Sequence, residues 1–227
     1  MEKPSYLLSR PTFTLNPEKM AAFEALWQAT PSGGLVDYRL PYPKWEFLTY
    51  LCDSKELVLH GSQNQEINTV EPRQAKDQRA FSNQQAIYAT TDGIWVIYFA
   101  IIDRKRFREL SLFNSCLQVC SAPGQLSEPM YFFSITQSVK EQEPWCQGMI
   151  YILPRDDFVQ EEAHQILGVQ VVFPHWISER AASPLARLDV GPDDFPFLEQ
   201  IHGHNDEKLV ELYSKNPGAF PIEAVVS

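Results

Sequence analysis

Cysteine, glycine-rich motifs and long apolar runs are all scarce in this chain. Four cysteines, Cys52, Cys116, Cys120 and Cys146, stand among 227 residues, and no two form a CxxC pair. That argues against a thiolate zinc site or a disulfide framework, and reduced thiols in a cytoplasmic protein are the expectation. Cys116 and Cys120 are spaced to fill one helix face. No GxGxxG and no GxxxxGK[ST] occurs, so neither a doubly wound dinucleotide fold nor a P-loop is supported. HExxH and GxSxG are also missing. The longest strongly apolar run, "IWVIYFAII" (94–102), is too short to span a bilayer, and the first twenty residues hold no continuous apolar segment. Neither a membrane span nor a signal peptide is expected. "HGHND" (202–206) has no second cluster of ligands at a suitable spacing, so no metal site is expected. Lys and Arg number 19 against 29 Asp and Glu, a net charge of −10. A broad basic surface for duplex nucleic acid is therefore not expected, which leaves room only for a local patch. The one basic cluster, "DRKRFRE" (103–109), reads as the solvated end of a helix.

What is present reads as α+β. "NPEKMAAFEALWQAT" (16–30) has the marks of a helix: Asn16 to cap it, Pro17 in the first turn, and Met20, Phe23, Leu26 and Trp27 on one face. A second helix is expected over 42–53, with Trp45, Leu48 and Leu51 at helical spacing. A buried strand follows at 56–62. The polar stretch 62–84 reads as a long loop, a type that tends to be functional or mobile. A short strand is expected at 85–90, then a helix over 91–105 capped by Thr91 or Asp92. Strands are expected at 130–138, 148–155, 169–174 and 184–190, a short acidic helical turn at 191–201, and a final helix beyond it. Early helices followed by many strands argue α+β rather than alternating α/β.

The informative constellation is "LVLHGS" (57–62) followed by "IYATTDGIWVIYFAI" (87–101). At a strand end, His60 can offer a ring nitrogen to a hydroxyl. Gly61 has no side chain, so a ligand can approach its backbone N–H and C=O, the donor and acceptor that a carboxamide needs. Ser62 adds a hydroxyl beside them. Tyr88 ends a strand and Tyr98 lies on the helix after it. If that helix folds back, two phenol rings can flank a flat, cationic ring.

These strings resemble the ADP-ribosyltransferase superfamily, in the branch shared by diphtheria-type toxins and poly(ADP-ribose) polymerases. The likeness covers residues 56–105 and continues only as a pattern of later strands. It implies a split β-sheet core over 56–227 with an N-terminal helical lead over 1–55. It also implies NAD as substrate: His60 orienting a ribose, Gly61 and Ser62 at the nicotinamide amide, and Tyr88 and Tyr98 sandwiching the ring. The family's glutamate, on a late strand, would fall at Ser183 or Pro184. Glu179 is the nearest carboxylate and is the candidate catalytic residue. The acceptor, a protein or a nucleic-acid end, is not specified. The departure at the third motif leaves a second reading, a catalytically silent interaction module on the same fold.

Overall fold

A computed structural model describes residues 3–75, 81, 83–122, 124–166, 168–215 and 220–226. The longer elements, numbered in chain order, are α1 (Pro17–Ala29), α2 (Lys44–Lys55), β1 (Leu57–Ser62), β2 (Gln85–Thr90), α3 (Trp95–Ala100), β3 (Leu112–Ala122), β4 (Met130–Thr136), β5 (Gly148–Pro154), β6 (Val169–Val172), β7 (His175–Ser178), β8 (Ala186–Val190), β9 (His202–His204) and α4 (Asp206–Lys215). The molecule is mixed α+β, with two sheets and few helices.

The first sheet runs β7–β2–β1–β5–β8 and the second β6–β3–β4–β9, each extended by short edge strands. Nearly all pairings are antiparallel. The exceptions are β9 along β4 and the short strand Gly34–Leu35 along β8. The N-terminal segment thus completes a sheet as well as covering it. Asn16 caps α1 as its position demands, its side-chain oxygen accepting the Lys19 N–H at 2.8 Å. Phe23 is buried there, whereas Met20 is exposed. In α2, Trp45 to Cys52 are all buried, so this is a central helix rather than an amphipathic cover. Lys19 of α1 and Glu46 of α2 form a nearly dry ion pair at 2.6 Å that ties the two helices together.

One large core takes residues from α1, α2, α3 and both sheets. A smaller one, with Val58, Ile87, Ala89, Met149, Tyr151 and Leu153, lies on the outer face of the first sheet. The segment after β1 closes that outer core. Ile67 and Val70 pack into it, Val70 bridges to Ala182, and Arg73–Gln74 pairs with β2. The expected loop 62–84 is therefore partly a packed cover; its residues 76–80 and 82 lie outside the described residues.

Two expectations are corrected here. The helix expected over 91–105 spans only Trp95–Ala100. Ile102 instead bridges to Trp145, and the basic cluster that follows is an exposed turn organised by Asp103, whose carboxylate accepts the Lys105 and Arg106 N–H groups. The stretch holding Cys116 and Cys120 is not a helix but the strand β3, paired from Leu112 to Leu117 with β4. Spacing i, i+4 fits one face of either element, and long-range pairing decided between them.

The close approach of α3 to the first sheet depends on two glycines on neighbouring strands. A Cβ on Gly61 would stand 2.5 Å from the Val96 carbonyl oxygen, and one on Gly148 only 2.2 Å from that of Ala100. Both obstacles are backbone, which cannot rotate away. Gly148→Ala is expected to cost about 3 kcal/mol through forced separation of helix and sheet. Urea denaturation checks this, and an unchanged midpoint would contradict the packing described.

Candidate functional site

β1 and β2 make one register pair, Leu59 with Thr90. Beyond it they diverge, although β1 stays fully paired with β5 from Leu57 to Ser62. Into this gap turns His60, whose Nδ1 lies 2.8 Å from the Tyr88 carbonyl oxygen. A carbonyl only accepts, so Nδ1 carries the hydrogen and the neutral ring keeps Nε2 as an acceptor. Burial holds the His60 pKa below its ordinary value, and the bond to Tyr88 opposes this only in part. The ring is therefore neutral, with one nitrogen committed and the other able to take a hydrogen bond from a hydroxyl. Ser62, half-buried, accepts the Asn64 N–H at 3.1 Å.

Gly61 is placed by a different force from the one its motif suggested. The missing side chain is the space that α3 occupies. Alternation along β1 assigns Leu57, Leu59 and Gly61 to the large core and Val58 and His60 to the outer face. On β2, Ile87 and Ala89 face the outer core, so Tyr88 projects to the α3 side. His60 and Tyr88 thus leave opposite faces of the sheet and meet only through the strand gap.

Tyr88 is half-buried. Its hydroxyl donates to the Gln84 carbonyl at 2.6 Å and accepts the Gln84 N–H at 3.0 Å. The ring lies along the His175 ring at 5.8 Å. Tyr98 lies elsewhere, and the expected sandwich is corrected. Its ring is fully buried against Phe133 and Phe195, and its hydroxyl donates to the Ser134 carbonyl of the second sheet at 2.9 Å. Among the described residues no ring contact joins Tyr88 and Tyr98. α3 is inserted between the sheets, so the side that carries Tyr98 is turned to the second sheet rather than back across β2.

The anchor of α3 is Asp92. One carboxylate oxygen accepts the Ile94 and Trp95 N–H groups at 3.0 and 2.6 Å, and the other accepts the Tyr131 hydroxyl at 2.7 Å. Burial raises its pKa despite these three bonds. Thr90, read from sequence as a strand-end group, donates to the Pro174 carbonyl at 2.6 Å and accepts the Asp92 N–H.

Glu179 is exposed just past β7 and lines an open cleft of about 530 Å³ with Glu71, Pro72, Gln84 and Gln85. His60 is not among those lining residues. β2 lies between the strands that carry them, because β1 pairs one of its edges and β7 the other.

Sequence reading missed two polar assemblies. His204, within "HGHND", places Nδ1 2.8 Å from Ser134 Oγ, and Asp206 Oδ1 lies 3.1 Å from its Nε2. The Asp206 carboxylate beside Nε2 opposes the lowering of the His204 pKa by burial. Ser134 and His204 are both fully buried, so no substrate reaches them and the array is structural. The second assembly joins His175 to Glu161 at 3.0 Å, next to Tyr88. The sequence separation of 14 carries no motif that could have announced it. Among the described residues no group of three or more His, Cys, Asp or Glu could hold a metal ion. Burial raises the pKa of Cys52 and Cys116 well above that of a free thiol, so neither is a ready nucleophile.

Comparison with family models, with curated proteins and with solved structures returns no match.

The depressed His60 pKa has a thermodynamic consequence. The folded state binds fewer protons than the unfolded chain, so this stabilisation is present above the unfolded pKa, near 6.5, and is lost as pH falls through it toward the folded value. His202 and His204 are shifted in the same direction by burial. Thermal midpoints are expected to fall between about pH 7.5 and about pH 5, with a shallower slope in His60→Gln. A slope equal to that of the wild type would show that His60 is not held neutral.

Proposed function

We propose that this chain is an NAD-binding protein of the ADP-ribosyltransferase-like type, with His60 and Tyr88 at the centre of its site. The observation that carries the reading is the gap between β1 and β2, bridged by a His60 ring with a fixed tautomer. An acceptor nitrogen at the divergence of two strands suits a ribose hydroxyl, and the half-buried Tyr88 ring, on the other face of the sheet and linked to His60 only through the strand gap, suits a nicotinamide. The split arrangement of two sheets around α3 supports the same reading of the fold. Tyr98 enters it only as the core residue that seats α3.

The reaction would break the N-glycosidic bond between ribose and the nicotinamide nitrogen. The bonding electrons leave with nicotinamide, which departs neutral, and positive charge develops on the ribose before an acceptor oxygen or nitrogen attacks. A carboxylate near that charge would stabilise the transition state selectively. Glu179 is the candidate from the sequence, and its place in the cleft beside Gln84 puts it near the Tyr88 hydroxyl's own partner. It does not share a cavity lining with His60, and this favours a second reading, in which the same fold binds without transferring.

NAD titration by calorimetry tests the site. His60→Ala and Tyr88→Ala are each expected to weaken binding about tenfold, the value of one lost hydrogen bond or ring contact. Tyr98→Phe, which removes only the bond to Ser134, is expected to leave affinity unchanged. Wild-type affinity in both alanine variants would refute the assignment. Nicotinamide release from labelled NAD, abolished by Glu179→Gln, would separate transferase from silent module; binding without release selects the second.

A further inference from the structure

The second sheet ends on a strand that nothing covers. His164–Ile166 pairs on one side with β6, in the register His164 with Val171, Gln165 with Gln170 and Ile166 with Val169. It is the last strand of its sheet, and among the described residues no strand pairs its other side. All three residues are exposed, Ile166 to 41%. Ile166 and Val169 are the closing pair of this hairpin, the pair that exchanges hydrogen bonds. The pattern alternates along an antiparallel ladder, so the Gln165 N–H and C=O point outward, away from β6.

A sheet edge of this kind is ordinarily guarded by a charged side chain, a proline or a bulge. None of these stands here. From Ala163 to Phe173 the sequence holds no Asp, Glu, Lys, Arg or Pro, and β3 holds none either, although 21% of the chain is charged. The pairing with β6 runs without a register shift. Only the shortness of the strand limits what can add to it. The face that carries His164 and Ile166 continues through Val169 and Val171 to Val119 of β3, so an apolar stripe runs out to the open edge.

We propose that this edge is a contact between two copies of the chain, joined antiparallel about a twofold axis at Gln165. The outward N–H and C=O of Gln165 meet those of Gln165 in the second copy, and His164 faces Ile166 of that copy. Charge selects a second copy as the occupant. With a net charge of −10, two copies repel over most of their surfaces, and they can join only where like charges do not meet. This register meets that condition. The nearest carboxylate along the segment, Glu162, comes opposite Gly168 of the second copy rather than opposite itself, and the space beside Gly168 is open. The apolar stripe then continues across the axis and covers both Ile166 side chains. A three-residue edge makes a small interface, so half-association is expected at a concentration on the order of 100 µM. The contact lies on the second sheet, away from His60 and Tyr88 of the first, and does not depend on the NAD reading.

Sedimentation equilibrium of the full chain tests this at low salt. From about 10 µM to about 500 µM the wild type is expected to pass from monomer to dimer by mass action. Gln165→Pro removes the outward N–H, which in the monomer meets only water, and is expected to abolish association. Gln165→Lys sets two like charges on the axis and is expected to weaken association about fivefold, and Gln165→Glu likewise. An equal mixture of the Lys and Glu variants places opposite charges there and is expected to recover the dimer. These two exposed substitutions keep the answer available if the proline variant does not fold, which circular dichroism shows. A wild type that stays monomeric throughout overturns the proposal. So does a dimer that the Lys variant leaves at full strength, or a mixture that associates no better than its parts.

Discussion

The Asp92 carboxylate is the constraint on which the arrangement depends. A six-residue helix has too few internal hydrogen bonds to stand alone. Asp92 takes two of its orphan N–H groups with one oxygen and reaches Tyr131 of the second sheet with the other. Trp95 adds a bond from its indole N–H to Asn114 at 2.6 Å, and Tyr98 adds the one to Ser134. All three partners lie on the second sheet, while Gly61 and Gly148 of the first sheet admit the opposite side of the helix. α3 is thus a wedge whose polar groups fasten to one sheet and whose backbone rests on the other.

That wedge explains both parts of the candidate site. The direction of Tyr98 follows from it, since a phenol bonded to Ser134 cannot also turn toward β2. So does the glycine of the His60–Gly61 pair, which is required by the helix whatever ligand is bound. His60 and Tyr88, in contrast, are positioned by the divergence of their strands. The residues of one short motif can therefore have two origins: Gly61 is needed for packing, and His60 is left free of it.

Local signals made much of the fold legible. Asn16 and Pro17 announced α1, and the β-rich string 85–90 gave β2 with its ends in place. The α+β class followed from element order. The signals failed where the decision was tertiary. The hydrophobic run after Asp92 reads as one long helix, because every apolar side chain in it looks alike until Ile102 pairs with Trp145. β3 was hidden because "LFNSCLQVC" suits either periodicity, and only its partner β4 fixes it. Of the candidate site, His60 and Tyr88 could be named from the sequence but not the faces from which they project. Glu161 could not be found at all, since a buried contact with a histidine on a neighbouring strand leaves no trace in the order of residues.

Tyr151 has a bearing on how the outer cover behaves. Its hydroxyl donates to the Asn64 carbonyl at 2.6 Å and accepts the Ile67 N–H at 3.0 Å, so one phenol on the central strand β5 rivets the first turn of the segment after β1. An amide held in this way opens only when the rivet does. Isotope exchange at Ile67 should thus follow the slow rhythm of the sheet beneath, and a residue drawn as surface loop would report on the integrity of the interior.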